Sequence, residues 1–142
     1  MTQALTFEYT VPGDDFTRAG EASSSIKKML KQIGLAPEVI RKVAIAVYEG
    51  EINMVIHAGG GEITVNVTSD EVSMTLTDKG PGIADISLAM REGWSTAPDD
   101  VRSLGFGAGM GLPNMKKYTD EMTIESTLGV GTTVKMRVYV KQ

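Results

Sequence analysis

Residues 5–11, LTFEYTV, alternate polar and apolar side chains with the period of two that a half-buried strand needs. PGDD breaks the run, and Asp14 or Asp15 is the expected cap of a helix ending near Ile33. Phe16, Ala19, Ala22, Ile26 and Leu30 recur in it at helical spacing, and Gly34 supplies the stop. Pro37 opens a second helix, in the first turn where its missing N–H costs nothing, and that helix is expected to reach Ala58 before GGG ends it. EITVNVT and EVSMTLT, separated by SDE, read as a hairpin, and DKGPG as a turn. ADISLAMREG is a short helix with Asp85 as its cap, LPNMKKYTD is another, and EMTIEST with TTVKMRVYV forms a terminal hairpin around LGVG. Between the short helices, residues 94–111 show no periodicity and outrun an ordinary connection, which favours a functional lid. The order β-α-α-β-β-α-lid-α-β-β predicts one domain over residues 1–142, an α/β (α+β) two-layer sandwich. Its sheet is mixed, mostly antiparallel, with helices on one face.

Composition narrows the function classes. The chain has 142 residues, 42% hydrophobic and 23% charged, ordinary for a folded domain. A net charge of -4 and no Lys/Arg run argue against nucleic-acid binding. No cysteine is present, which excludes disulfides and thiolate metal sites and is compatible with a cytoplasmic location, and a single His argues against zinc. The N-terminus lacks a signal-peptide pattern, and no run approaches the ~20 apolar residues that span a bilayer.

The second helix carries an unusual polar seam. Glu49, Asn53 and His57 recur at every fourth position and drift only ~80° in total at about 100° per residue. Val39, Val43, Val47, Gly50 and Met54 flank the seam on one side, and Ile45, Ile52 and Ile56 on the other. Glu51 points well away and reads as solvated. An unpaired charge between apolar flanks is costly, so something must satisfy the seam. Neighbouring backbone can do this, and so can a ligand. A carboxylate serves as a general base, an amide oxygen suits Mg²⁺, and an imidazole one turn on can reach an anion.

Three glycine-bearing segments follow. Val72, Met74, Leu76 and Asp78 share one strand face by the period-two rule, so Asp78 should point toward the core before KGPG. A turn aspartate is the plainer alternative. GFGAGMG places Gly at 105, 107, 109 and 111 before a helix start, where backbone N–H groups bind phosphate, or where a hinge simply bends. It is not the dinucleotide fingerprint, and no G-K-[ST] phosphate loop occurs. In GVGTTVKM, Thr132 shares a face with Val134, Met136 and Val138, so its hydroxyl should point inward and Thr133 outward.

E-x-x-x-N-x-x-x-H, D-x-G-x-G, the glycine-rich segment and the late G-T together resemble, in order, the GHKL (Bergerat-fold) ATPase/kinase superfamily. The runs DKGPGIADISLAMREGWST and GFGAGMGLPNMKKYTDEMTIES are most similar to the bacterial anti-sigma-factor and stress-switch serine kinases. The resemblance implies ATP and Mg²⁺ as cofactors, with Asn53 ligating the metal, Glu49 as catalytic base and His57 near the phosphates. It implies Asp78 on the adenine amine with Gly80, Gly82 and Thr132, and Gly105, Gly107, Gly109, Met110, Gly111 and Leu112 around the phosphates. The implied activity is transfer of the γ-phosphate to a regulatory partner protein, such as an anti-sigma-factor antagonist or a sigma factor. A nucleotide-dependent binding module without kinase activity and a slow ATPase are the alternatives. No phosphoacceptor His motif precedes the domain, which argues against a complete histidine kinase. Apolar positions on the first helix suit the core or a homodimer equally.

Overall fold

The computed structural model describes residues 5–13, 18–83, 90 and 111–140. Strand β1 (Leu5–Pro12) leads to helices α1 (Glu21–Ile33) and α2 (Pro37–Asn53), and α2 passes without a break into a π-helical turn (Met54–Ala58). Strands β2 (Gly60–Val67) and β3 (Glu71–Asp78), helix α3 (Gly111–Lys117), and strands β4 (Glu121–Thr127) and β5 (Gly131–Tyr139) complete the described chain. The expected helix at 84–93, all but Met90, and residues 94–110 of the expected lid lie outside the described residues.

The strands form one sheet in the order β1-β2-β3-β5-β4. All four pairings among the described residues are antiparallel. The last strand is therefore inserted between β3 and β4. Period-two patterning decides the faces. Val65, Met74 and Met136 stand in register across β2, β3 and β5, and all three are buried beneath the helices. The alternate row of Thr64, Thr75, Lys135 and Thr123 lies on the opposite face. Burial of each large apolar side chain in the first set stabilises the fold by roughly 1.5–3 kcal/mol.

α1 and α2 bury Ile26, Leu30, Val43 and Val47 against the sheet. Gly50 sets how closely α2 approaches, because a Cβ there would stand 2.1 Å from Leu76 Cδ2 and 3.2 Å from Met115 Cε. Pro37 is the first residue of α2, as its fixed φ predicts. The start of α1 differs from expectation. It begins at Glu21 behind a left-handed Gly20 (φ 99°), and its own N-cap contributes no side-chain hydrogen bond. Asp14 and Asp15 lie outside the described residues. The orphan N–H groups of such a start need acceptors, and three of them find one on another helix.

That acceptor is Glu51, which corrects the solvated reading. Its side chain is only 1% exposed. Oε2 accepts from Gly20 N–H (2.9 Å) and Ala22 N–H (3.2 Å), and Oε1 accepts from Ser23 N–H (3.0 Å). A carboxylate at the positive end of a helix dipole is favourable in itself. Glu51 thus bolts the first turn of α1 to the last turns of α2.

Candidate functional site

The polar seam of α2 is real up to Asn53 and then changes pitch. Residues 54–58 follow i→i+5 hydrogen bonding, so the 100° step that placed His57 on the stripe does not hold beyond Asn53. Such π turns occur frequently at functional sites. Glu49, Asn53 and His57 are all half-buried. Burial lowers the His57 pKa below its ordinary 6.5, so its imidazole is neutral at pH 7. Burial also raises the Glu49 carboxyl above its ordinary value, opposed by a hydrogen bond from the Asn114 side chain.

α3 is the element opposite Glu49 and Asn53. Gly111, its first residue, comes so close to Asn53 that a Cβ would stand 2.9 Å from both Oδ1 and Nδ2 of the amide. Asn114, one turn on, acts on the Glu49 carboxyl and lowers its pKa against the effect of burial. At the far end, Arg41 of α2 lies 5.7 Å from the Tyr118 ring centroid. Rising numbers on α3 meet falling numbers on α2, so the two helices run antiparallel. Glu49, Asn53, Gly111 and Asn114 are thereby brought into one cluster.

Asp78 heads a second cluster. It ends β3, directly opposite Thr132 in the β3–β5 ladder. Its Oδ1 accepts from Gly80 N–H (2.9 Å) and Thr132 N–H (3.2 Å). Both of these bonds fall on Oδ1. Thr132 is buried, 8% exposed, while Thr133 is half-buried. The Thr132 and Ser126 hydroxyl oxygens lie 2.9 Å apart.

The turn after Asp78 is stitched to the β4–β5 hairpin. Ile83 N–H donates to Ser126 Oγ at 2.7 Å, and Gly129 N–H donates to Pro81 O at 2.9 Å. Gly82 holds φ +83° with no room for a Cβ, which would stand 2.6 Å from Thr127 O. Gly80 packs on the end of the π turn, 2.6 Å from Ala58 Cα by the same measure. The π turn therefore links the clusters, starting after Asn53 and ending against the Asp78 loop. Leu112 is half-buried and packs on the core, whereas Gly105, Gly107, Gly109 and Met110 lie outside the described residues.

Two residues of these clusters were not singled out from the sequence. Ser126 had a signal, since Met122, Ile124 and Ser126 share the inward face of β4 and only Ser126 is polar. Asn114 had none beyond its place one turn after Gly111.

An antiparallel sheet covered on one face by helices, with an acid and an amide on the central helix and an aspartate at a strand end, is the Bergerat ATP-binding fold of the GHKL superfamily. The pattern of the histidine kinase-like ATPase domain matches residues 14–138, and the chain belongs to that family. It is 32% identical over 124 residues to the anti-sigma F factor of Caldanaerobacter subterraneus subsp. tengcongensis, covering 84% of this chain and 83% of the relative. It is 29% identical over 113 residues to the serine/threonine-protein kinase RsbT of Bacillus subtilis, covering 77% and 79%. Among solved structures, the RsbU and RsbW domains of Rv1364c from Mycobacterium tuberculosis superpose with a TM-score of 0.63 at 16% identity, over 97% of this chain and 33% of that one. The mycobacterial sensor histidine kinase MprB gives 0.54 at 14% identity, over 96% of this chain and 99% of that one. These two likenesses concern the fold alone. The chain is thus related to the anti-sigma-factor and stress-switch kinases.

Among the described residues, no helix is long and apolar enough to cross a membrane, and no three His, Asp or Glu side chains are grouped to hold a metal.

Proposed function

We propose that the chain is a Mg-ATP-dependent serine/threonine kinase of the switch type, acting on a regulatory partner protein in the cytoplasm. The observation that carries the reading is the convergence of Glu49 and Asn53 beneath the first turn of α3. A carboxylate and a hard amide oxygen side by side are the two donors that a nucleophile and a phosphate-bound Mg²⁺ need. The glycine at 111 leaves the approach to Asn53 open, since only a Cβ would crowd it. With no three-ligand cage among the described residues, such a metal would take its remaining ligands from phosphates and water, as Mg²⁺ commonly does. The ion would supply charge neutralisation on the transferred phosphoryl group.

The chain's own groups divide the remaining work. Glu49 takes the proton from the attacking hydroxyl, and its raised pKa makes it a better base than an exposed carboxylate. Asp78 Oδ2 accepts from the 6-amino group of adenine, where guanine carries a carbonyl that cannot donate, and Thr132 completes that wall. Neutral His57 is a donor or acceptor near the phosphates rather than a fixed charge. The relationship to RsbT, a serine/threonine-protein kinase by name, supports transfer to a hydroxyl. The relationship to anti-sigma F factors supports a protein partner.

Glu49→Gln separates this reading from a nucleotide-dependent binding module. A base matters only when a proton must leave the nucleophile. The substitution should therefore keep Mg-ATP affinity and lower phosphoryl transfer by ~10²–10⁴-fold. Calorimetry with Mg-ATP and turnover of labelled ATP measure the two sides. Absence of Mg-ATP binding at millimolar concentration would refute the reading altogether.

A further inference from the structure

We propose that Asn114 is the positioning residue for Glu49, its side-chain amide fixing the direction in which the carboxylate faces. The inference rests on the kinase reading above for its kinetic consequence, though not for the geometry.

Three contacts hold α3 in register on α2 and leave Asn114 little choice of neighbour. Gly111 is in close approach to the Asn53 amide. Met115, the residue after Asn114, is 1% exposed and meets α2 at Gly50. Tyr118 is stacked under Arg41. Positions 111, 114–115 and 118 follow the three-to-four spacing of one helix face. Asn114 thus stands over α2 between two pinned positions, on the side of Glu49, whose carboxyl pKa its side chain lowers against the raising effect of burial.

A glutamate on a helix surface has several rotamers, and losing that freedom costs free energy. A base must nevertheless sit within hydrogen-bond reach of the proton it takes. An amide is suited to hold it. It donates to the carboxylate without the charge that would turn it into an ion pair, and it leaves the second oxygen available. Arg or Lys at 114 would instead stabilise the ionised carboxylate and weaken it as a base. Asn114 touches neither nucleotide nor nucleophile in this scheme and acts only through Glu49. The register also ties the two halves of the cluster together, because the helix turn that carries Asn114 begins at the glycine facing Asn53.

The test compares wild type, Asn114→Ala and Asn114→Ser in two measurements. The first follows Mg-ATP turnover by the purified chain with water as acceptor. Asn114→Ala should lower kcat about 10–100-fold with KM for ATP within twofold, the scale on which small misplacements act. Asn114→Ser, which keeps a donor, should recover part of the loss. The second measures side-chain ¹³C relaxation at Glu49 in the nucleotide-free protein and needs no activity. Glu49 should be rigid in the wild type and mobile in Asn114→Ala, with the melting temperature nearly unchanged. Unchanged Glu49 relaxation in Asn114→Ala overturns the proposal, as does a kcat equal to wild type. Wild-type protein that transfers no phosphate from Mg-ATP to water or to any added protein hydroxyl, but with Glu49 freed by Asn114→Ala, would refute the kinase reading and leave Asn114 as the holder of Glu49, the relaxation measurement alone then deciding.

Discussion

The Glu51 carboxylate accepts the Ser23 N–H at 3.0 Å, so the first turn of α1 is capped by a residue 28 positions later. Two residues before it, Glu49 faces the opposite way, toward α3. One stretch of α2 therefore carries two acids with separate duties. The buried one builds the fold, and the half-buried one lies in the cluster beside Asn53 and is the base of the proposed reading.

Removing the structural acid should unfold rather than inactivate. Glu51→Ala deletes a charged acceptor shared by three buried or half-buried backbone donors and should cost about 2–4 kcal/mol. Glu51→Gln keeps one strong acceptor and should cost roughly half as much. Urea unfolding measures both. A loss below about 0.5 kcal/mol for the alanine variant would show that water replaces the cap.

Glu49, the proposed base, should behave in the opposite sense. Folding raises the Glu49 carboxyl above its ordinary 4.5, so the native state holds this proton more tightly than the unfolded chain does. Its contribution to stability is therefore full below about pH 4.5 and is lost as pH rises through the folded value. Glu49→Gln removes the burdened charge while keeping a partner for Asn114. The variant should melt at a higher temperature than wild type at pH 7, with the gain fading toward pH 4. Melting curves across that range check the sign, and a variant less stable at pH 7 would contradict it. Stabilisation on losing Glu49 would fit the proposed reading, since working residues are often held against the folding preference of their site.

Gly111→Ala tests the approach to Asn53. The added Cβ would meet the amide at 2.9 Å, which is the end of a side chain and can swing aside. The fold should survive with a small shift in melting temperature, while the Mg²⁺-dependent part of ATP affinity falls about tenfold, the equivalent of ~1.4 kcal/mol. Calorimetry with ATP in magnesium and in chelator gives the two affinities. An unchanged difference between them would remove Asn53 from the metal's neighbourhood.

Much of the fold was legible because strands declare their faces locally. The inward positions of Val72, Met74, Leu76 and Thr132 followed from a period of two. The seam was legible as far as Asn53 for the same kind of reason, a period of 3.6. What failed was non-local. Glu51 looked solvated because its angle on the helix leads away from the Glu49 stripe, and no local rule says that another helix begins there. The absence of Ser, Thr, Asp or Asn from 19–20, just before α1, was a faint hint that the cap came from elsewhere. The π turn left no mark in MVIHA, so His57 was placed with a rotation that the backbone does not follow. Asn114 gains its neighbour only when α3 docks, and that register depends on Gly111 and Met115 rather than on Asn114 itself.

The insertion of β5 between β3 and β4 has a consequence for biosynthesis. Asp78 owes one of its two N–H donors to Thr132, and its loop is tied to Ser126 and Gly129. A ribosome-bound chain halted before residue 131 lacks the strand that joins β3 to β4 and one wall of the Asp78 cluster. Long-range strand pairings of this kind form late. On the proposed reading, nucleotide capture then waits until β5 has left the exit tunnel, and a chain truncated before β5 should be blind to ATP rather than partly active.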